Sequence, residues 1–251
     1  MIDTHCHIDD YEDINEVINK MQGHKIIVSG TNDISNLKII ELCNKYDNVY
    51  GTLGIHPEEI DKITNESFKI IENNINNKKI VGIGEIGLDY YWNKENKEQQ
   101  KQLFIKQLQI AKKYNKCVVV HTRDAINDSY EILKEYGKDL KIDIHCFSGS
   151  IEMAKKFIEL GAVLGIGGVV TFKNAKKNQK IVEEIDLKHF VLETDSPYLT
   201  PEPYRGKRNE PYNVYYVAQK IASIKGINID EVLTTTTETA IRQFDLNDIM
   251  C

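Results

Sequence analysis

The sequence has few cysteines and no pairing pattern among them. Its 251 residues include five cysteines, an odd number, and no two of them stand in a C-x-x-C spacing. A disulfide framework or a structural zinc knot is therefore not expected, and a reducing compartment fits this usage. The five are Cys6, Cys43, Cys117, Cys146 and Cys251.

The chain also lacks a long apolar run. No segment approaches the roughly 20 apolar residues that are needed to span a bilayer. Asp3, His5 and His7 stand where a signal peptide would need apolar residues. The sequence therefore predicts a cytoplasmic protein with no membrane partner, and no feature of it points to a protein partner.

An excess of basic residues is missing as well. The formal net charge is -6, which argues against generic binding of polyanions by the whole surface. Bound divalent cations and a local basic loop would still attract phosphates, so nucleic acid is not excluded. Hydrophobic residues make up 41% of the chain, which indicates a globular protein with an ample core.

Short apolar strands alternate with helical patterns along the whole chain. Strands that are apolar on both faces and separated by helices imply a parallel sheet, and eight such units imply closure into a (β/α)8 TIM barrel. The alternative is an open doubly wound sheet. With no low-complexity linker and no Pro/Gly-rich seam, a single domain over residues 1–251 is expected. The predicted strands are 1–5, 25–29, 49–53, 80–85, 117–121, 142–146, 162–165 and 190–193.

Two histidines stand at the end of the first predicted strand. Alternate side chains of a strand share a face, so His5 and His7 are expected to point together. Two imidazoles in that arrangement suit zinc, manganese, iron or nickel. The alternative is a surface pair with no ligand, and the other polar residues decide between the two.

Those other residues lie at the same end of the predicted barrel. His121 and His145 stand at strand ends, Glu85 closes the fourth strand, and Asp195 follows the eighth. The C-terminal ends of the strands carry the active site in such barrels. One carboxylate there is commonly a structural acceptor, but its combination with four histidines favours a metal site. The six candidate ligands are His5, His7, Glu85, His121, His145 and Asp195.

Six ligands are too many for one catalytic zinc, which takes about three protein ligands. They suit two divalent ions about 3.5–4 Å apart, with a bridging carboxylate and an activated water between them. Glu85 is the candidate bridge, and Asp195 is placed to take a proton from the water, which makes both of them catalytic candidates. The predicted ligands are His5, His7 and Asp195 for one ion, and His121 and His145 for the other.

Seven short motifs follow one another along the chain. They are DTHCH at 3–7, GIHP at 54–57, GEIGLDY at 84–90, HTR at 121–123, HCFSG at 145–149, ETDSPYL at 193–199 and RGKRNEP at 205–211. Together they resemble the TatD family of metal-dependent deoxyribonucleases, a branch of the amidohydrolase-like barrels. The resemblance implies hydrolysis of DNA phosphodiesters, often from the 3′ end of single strands, with two Mg²⁺, Mn²⁺ or Zn²⁺ ions. Some similar proteins are credited with other substrates, including D-aminoacyl-tRNA esters.

Four residues are candidate substrate contacts. Arg205 and Arg208, with Lys207 between them, form the only dense basic cluster and are suited to hold a phosphate, unless the loop is merely solvated. Arg123 points the same way as His121 and either reaches substrate or pairs with an acid. His56 either touches a phosphate or water, or donates a hydrogen bond to a ligand.

Aromatic residues in the same loops are candidates to stack on unpaired bases, or else pack the loops themselves. They are Tyr90, Tyr91, Trp92, Phe147, Tyr198 and Tyr204.

Three functions compete on these observations. A two-metal DNase is the first, and an ester or amide hydrolase such as a D-aminoacyl-tRNA deacylase is the second. Many hydrolases of the second kind bridge their metals with a carboxylated lysine, whereas Glu85 fills that position here and no strand-end lysine competes. A non-catalytic binding module would leave six convergent ligands without a role. The DNase is therefore favoured.

Overall fold

The computed structural model describes residues 1–9 and 11–246. Asp10 and residues 247–251, which include Cys251 and the end of the predicted domain, lie outside the described residues. Eight parallel strands form one sheet in the order of the sequence. They are β1 (Ile2–Cys6), β2 (Lys25–Ser29), β3 (Val49–Leu53), β4 (Ile80–Asp89), β5 (Cys117–Arg123), β6 (Ile142–Ile144), β7 (Val163–Ile166) and β8 (Phe190–Leu192).

Helices follow the strands and cover the outside of the sheet. They are α1 (Ile14–Lys20), α2 (Asp33–Lys45), α3 (Asn65–Asn74), α4 (Lys97–Tyr114), α5 (Ile126–Tyr136), α6 (Ile151–Glu159), α7 (Lys176–Glu184), α8 (Val214–Lys225) and α9 (Ile229–Phe244). Side-chain caps mark the starts of α2, α3, α6 and α9. The Asn32 side chain accepts hydrogen bonds from the backbone N–H groups of Ile34 and Ser35. The Ser35 hydroxyl in turn accepts one from the Asn32 N–H, which completes a capping box.

The first and last strands meet, so the sheet is a nearly closed barrel. Cys6 bridges Ser196 in parallel, the His7 N–H donates to the Ser196 carbonyl at 2.6 Å, and the Asp195 N–H donates to the His5 carbonyl at 2.9 Å. This confirms the single-domain TIM barrel and excludes the open sheet. Closure also brings the end of β1 and the segment after β8 together at one mouth.

An apolar cluster fills the lower half of the barrel. Nearly every strand contributes a buried residue to it, among them Ile27, Val119 and Val191, so the cluster lies inside the sheet. Phe244 of α9 closes it from below and is only 2% exposed. Alternate residues of the same strands, such as Ile26, pack outward in the larger cluster under the helices. A sealed lower half leaves the C-terminal ends of the strands as the open side.

Within the described part of the chain, no helix has both the length and the apolar character that crossing a membrane requires. The cytoplasmic location is not tested by this and stays a prediction.

Candidate metal centre

His5 lies near the end of β1 and His7 directly follows it, and the two share one face, as strand alternation predicts. Their Nε2 atoms lie 3.1 Å apart. The His7 Nδ1–H donates to the Ser29 carbonyl at 3.0 Å, because a carbonyl can only accept. That bond fixes the tautomer and leaves the His7 Nε2 lone pair free to face the barrel axis. The Ser29 hydroxyl lies 3.1 Å from His5 Nδ1, so one residue of β2 orients both rings.

Glu85 lies between two sets of imidazoles. Its Oε2 atom is 3.3 Å from His5 Nε2 and 3.2 Å from His7 Nε2. Its Oε1 atom is 2.8 Å from His121 Nδ1 and 3.6 Å from His145 Nε2. Burial acts to raise the pKa of this carboxyl, but the imidazoles of His145 and His5 outweigh burial and hold the pKa well below its usual value. The side chain is therefore an anion that faces a different set of rings with each oxygen.

His145 lies closer to His5 than to His121. The ring centroids of His145 and His5 are 3.6 Å apart and stacked, whereas those of His145 and His121 are 6.2 Å apart. Asp195 completes this side, with Oδ1 3.9 Å from His5 Nε2 and 3.7 Å from His7 Nε2. The His145 ring thus stacks on His5, whereas its Nε2 atom shares Glu85 Oε1 with His121. The assignment of His121 and His145 to one ion stays a prediction.

Two carboxylates that the sequence reasoning did not assign support the ligand histidines. Asp89 Oδ2 lies 2.9 Å from His121 Nε2, and Glu193 Oε1 lies 3.2 Å from His145 Nδ1 at an angle outside hydrogen-bond geometry. Strand alternation could have identified both, because residues an even number of positions apart share a face. Asp89 is four residues after Glu85, and Glu193 is two residues before Asp195. Carboxylates behind ligand histidines set the ring orientation and raise ligand basicity.

Glu193 lies in a space that the neighbouring strand leaves open. A Cβ atom on Gly165 of β7 would lie 2.3 Å from Glu193 Oε2, so only glycine fits beside this carboxylate. The Cys146 N–H donates to Glu193 Oε1 at 2.6 Å, whereas Oε2 has no partner among the described residues. Two strands therefore hold the Glu193 carboxylate behind His145.

The donor atoms form overlapping sets that suit more than one cation. Within each set the ligand atoms lie within 4.8 Å of one another, and Glu85 belongs to two of them. Nitrogen and carboxylate donors of this kind bind first-row divalent ions and magnesium. The sets are His5, His7 and Glu85; His56, Glu85 and His121; His5, His145 and Asp195; and His145, Cys146 and Glu193.

The comparison of the sequence with family models decides the relationship. The model described as TatD related DNase matches residues 2–245. The chain belongs to this family. Membership confirms the resemblance that the seven motifs indicate, and it places the chain among metal-dependent hydrolases.

Individual TatD relatives match over nearly the full length. The uncharacterized metal-dependent hydrolase YabD of Bacillus subtilis is 41% identical, over 98% of this chain and 100% of that protein. The uncharacterized metal-dependent hydrolase YcfH of Escherichia coli is 35% identical, over 98% and 96%. The crystal structure of YJJV, a TatD homolog from Escherichia coli, superimposes with a TM-score of 0.91 at 28% identity and covers 98% of each chain.

In this TatD chain the four candidate substrate contacts fall in different places. His56 Nε2 lies 3.6 Å from Glu85 Oε1, inside the ligand cluster, and burial lowers the pKa of His56 to about 3. Arg123 and Arg205 lie exposed at the mouth, each over an aromatic ring. Arg208 lies in the same loop as Arg205 but donates to Asp13 at 2.8 and 2.6 Å. No finding tests the roles of these four residues, which stay predictions.

Proposed function

We propose that the protein hydrolyses phosphodiester bonds of single-stranded DNA from the 3′ end, with two divalent ions held at the mouth of the barrel. The observation that carries the proposal is the position of Glu85, whose two oxygens face two different sets of imidazoles at 2.8 to 3.6 Å. A buried carboxylate in that position suits a bridge between two cations. Family membership supports the same chemistry.

The donor set fits the ions that the proposal requires. The residues that would hold them are His5, His7, Glu85, His121, His145 and Asp195, with His56 within reach of the same carboxylate. Divalent ions such as Mg²⁺, Mn²⁺ or Zn²⁺ supply Lewis-acid polarisation of the substrate oxygen and lower the pKa of a water.

Asp195 is the proposed general base. Burial raises the pKa of its carboxyl to about 6, so the group exchanges a proton close to neutral pH, where a base works best. It reaches the site because the turn after β8 holds it in a left-handed conformation, with φ of 55°. Asp89 holds the His121 ring by a hydrogen bond, Glu193 lies 3.2 Å behind His145 Nδ1, and Arg123 and Arg205 are free to meet phosphate oxygens.

Hydrolysis of an ester or amide, such as a D-aminoacyl-tRNA ester, is the second candidate. One observation favours it: a cavity of about 220 Å³ opens beside Asp89 and is also lined by Glu58 and Asp61. Three carboxylates around one space suit an ammonium group, which an aminoacyl ester carries and a DNA backbone does not.

The test uses end-labelled single-stranded DNA and protein stripped of metal with a chelator. We expect no cleavage before metal is restored, and a ladder that shortens from the 3′ end after Mg²⁺, Mn²⁺ or Zn²⁺ is added. An aminoacyl-tRNA ester is assayed in parallel. Turnover of the ester without DNA cleavage in any metal would support the second candidate and refute the first.

A further inference from the structure

Exposed aromatic rings stand on two sides of the metal centre. Tyr91 and Trp92 follow β4 and are 52% and 64% exposed, and Tyr198 follows β8 and is 62% exposed. Exposed apolar groups mark a binding site when they are grouped, and these three follow strand ends at one mouth. We call Tyr91, Trp92 and Arg123 the β4 wall, and Tyr198, Tyr204 and Arg205 the β8 wall.

The cations of both walls are held by ring faces and not by acids. The Arg123 guanidinium carbon lies 3.9 Å from the centre of the Tyr91 ring, and that of Arg205 lies 4.2 Å from the centre of the Phe172 ring. Neither side chain makes an ion pair or a hydrogen bond within residues 1–9 and 11–246. Such an arginine is positioned by cation–π contact and keeps its hydrogen-bond donors for an anion.

Arg208 shows the opposite arrangement a few residues away. Its guanidinium donates hydrogen bonds to Asp13, at 2.8 and 2.6 Å, and to Glu210, at 3.1 Å. Its charge is therefore already neutralised. The contrast within one loop separates a structural arginine from one that is open to a ligand.

The two walls face each other across the ligands. In a nearly closed barrel of eight strands in sequence order, β4 and β8 are four strands apart in either direction, so their loops lie on opposite sides of the mouth. Trp92 and Tyr198 are each tied, through the backbone N–H, to an acidic residue of the centre three positions earlier. The Trp92 N–H donates to Asp89 Oδ1 at 3.2 Å, and the Tyr198 N–H donates to the Asp195 carbonyl at 2.8 Å.

We propose that the walls form one track for an unpaired strand, which crosses the mouth with a base stacked on Trp92, another on Tyr198, and the scissile phosphate over Glu85. Of Arg123 and Arg205, the one on the 5′ side of the scissile bond receives the next phosphate, and the other faces the 3′-terminal nucleotide that is released. The track rests on the proposed nuclease function, and it names the substrate as a strand with nucleotides bound on both sides of the bond that is cut. Ring faces accept any base but only an unpaired one, because the bases of a duplex are stacked on each other.

Trp92 is the only tryptophan of the chain, so its fluorescence reports the β4 wall alone. The probe is a single-stranded phosphorothioate oligonucleotide of about ten nucleotides, within the site sizes of single-strand binding proteins, added to the metal-loaded protein. An abasic strand of the same length and charge is the matched probe. We expect quenching by the strand that carries bases and none by the abasic strand.

Variants of the two rings test whether the walls act together. Tyr198→Ala and Trp92→Ala should each weaken binding of the oligonucleotide by about tenfold, the loss of one stacked base, as measured by the fluorescence anisotropy of an end-labelled strand, which does not depend on Trp92. Tyr198→Phe and Trp92→Phe keep a ring and should bind as the wild type does. A 5′-mononucleotide has one base and occupies one wall, so only one of the two alanine variants should weaken its binding.

Three results would overturn the track: equal affinity for the abasic strand, unchanged affinity in Tyr198→Ala, or equally tight binding of a duplex of the same sequence. These outcomes are separate from those of the hydrolysis assay. Base-dependent quenching without cleavage in any metal supports the track and refutes the nuclease. If the protein cleaves DNA with metal but binds the abasic strand equally well, the nuclease is supported and the track is refuted.

Discussion

The upper and lower halves of the barrel interior are built from the same strands and carry opposite chemistry. On β5, Cys117 and Val119 belong to the apolar lower cluster, and His121, next on the same face, belongs to the metal centre. On β8, Val191 is followed in the same way by Glu193. Two residues of strand separate the part that holds the fold together from the part that holds the ligands. Substitutions in the two halves should therefore fail in different ways.

Glu85→Gln should show most clearly that the upper half serves activity and not stability. The amide keeps the shape of the side chain but loses the charge that faces both sets of imidazoles, so hydrolysis should fall on the order of a thousandfold. The thermal unfolding temperature should stay the same or rise, because buried functional groups are seldom optimal for stability. Initial rates in metal-replete buffer and a thermal scan check both.

The matched control for this substitution is Glu72→Gln, which removes a surface carboxylate that lies 2.8 Å from Lys113 Nζ. It should change neither quantity. Retained activity in Glu85→Gln would remove Glu85 from the bridging position.

The lower half gives the converse result. Phe244→Ala empties the floor of the barrel and should lower the free energy of unfolding by about 3–5 kcal/mol, with the rate per folded molecule unchanged. Urea denaturation measures the first quantity, and an assay well below the unfolding midpoint measures the second. Tyr212→Ala, at a ring that is 43% exposed, is the control and should cost little. A Phe244→Ala protein that is stable but inactive would contradict the division of the barrel.

Glu193→Gln tests the boundary between the halves. The amide still accepts from the Cys146 N–H but no longer presents a charge to His145, so affinity for a divalent ion should fall about 10- to 100-fold. Calorimetric titration of metal into stripped protein measures the affinity directly, without reference to any substrate. Glu184→Gln, a surface carboxylate 3.6 Å from Lys180, should leave it unchanged. If the two variants bind the ion with equal affinity, Glu193 has a structural role and does not support metal binding.

The smallest effect is expected outside both halves, at the surface pair of Asp13 and Arg208. The hydrogen bonds from Arg208 lower the pKa of Asp13 below its ordinary value. A carboxyl whose pKa is depressed by folding stabilises the protein above the unfolded pKa, and that contribution is lost as the pH falls through the folded pKa. The pair is exposed, so the effect is small and screened by salt.

Thermal scans of the wild type and Asp13→Asn should therefore differ slightly at neutral pH and converge in acid. A difference that persists below the folded pKa would show that the effect is not one of charge.

Much of the fold follows from local pattern. The apolar runs predicted as β2 and β3 match the observed strands residue for residue, and His5 and His7 share a face because alternation requires it. The predicted fourth strand stops at Glu85, whereas β4 continues to Asp89. Polar residues and glycines interrupt the apolar run there, and pairing with β5 extends the strand regardless.

What the sequence could not supply depends on contacts between distant segments. Arg208 is 195 residues from Asp13, and no local pattern relates the two. The position of His56 beside Glu85 depends on the path of the loop after β3, and the support of His145 by Glu193 depends on the close packing of β7 and β8 around Gly165. Such contacts exist only after the barrel has closed.

The junction between β1 and β8 has a consequence for the time at which the centre forms during synthesis. His5 and His7 are synthesised long before Asp195, and the backbone hydrogen bonds that join the two segments link parts of the chain that are far apart in the sequence. Contacts of such long range form late, because the intervening chain must be in place before the ends can meet. A chain that ends before Asp195 therefore lacks the set that His5, His145 and Asp195 form. Metal binding at that set then requires that the segment after β8 has docked against β1.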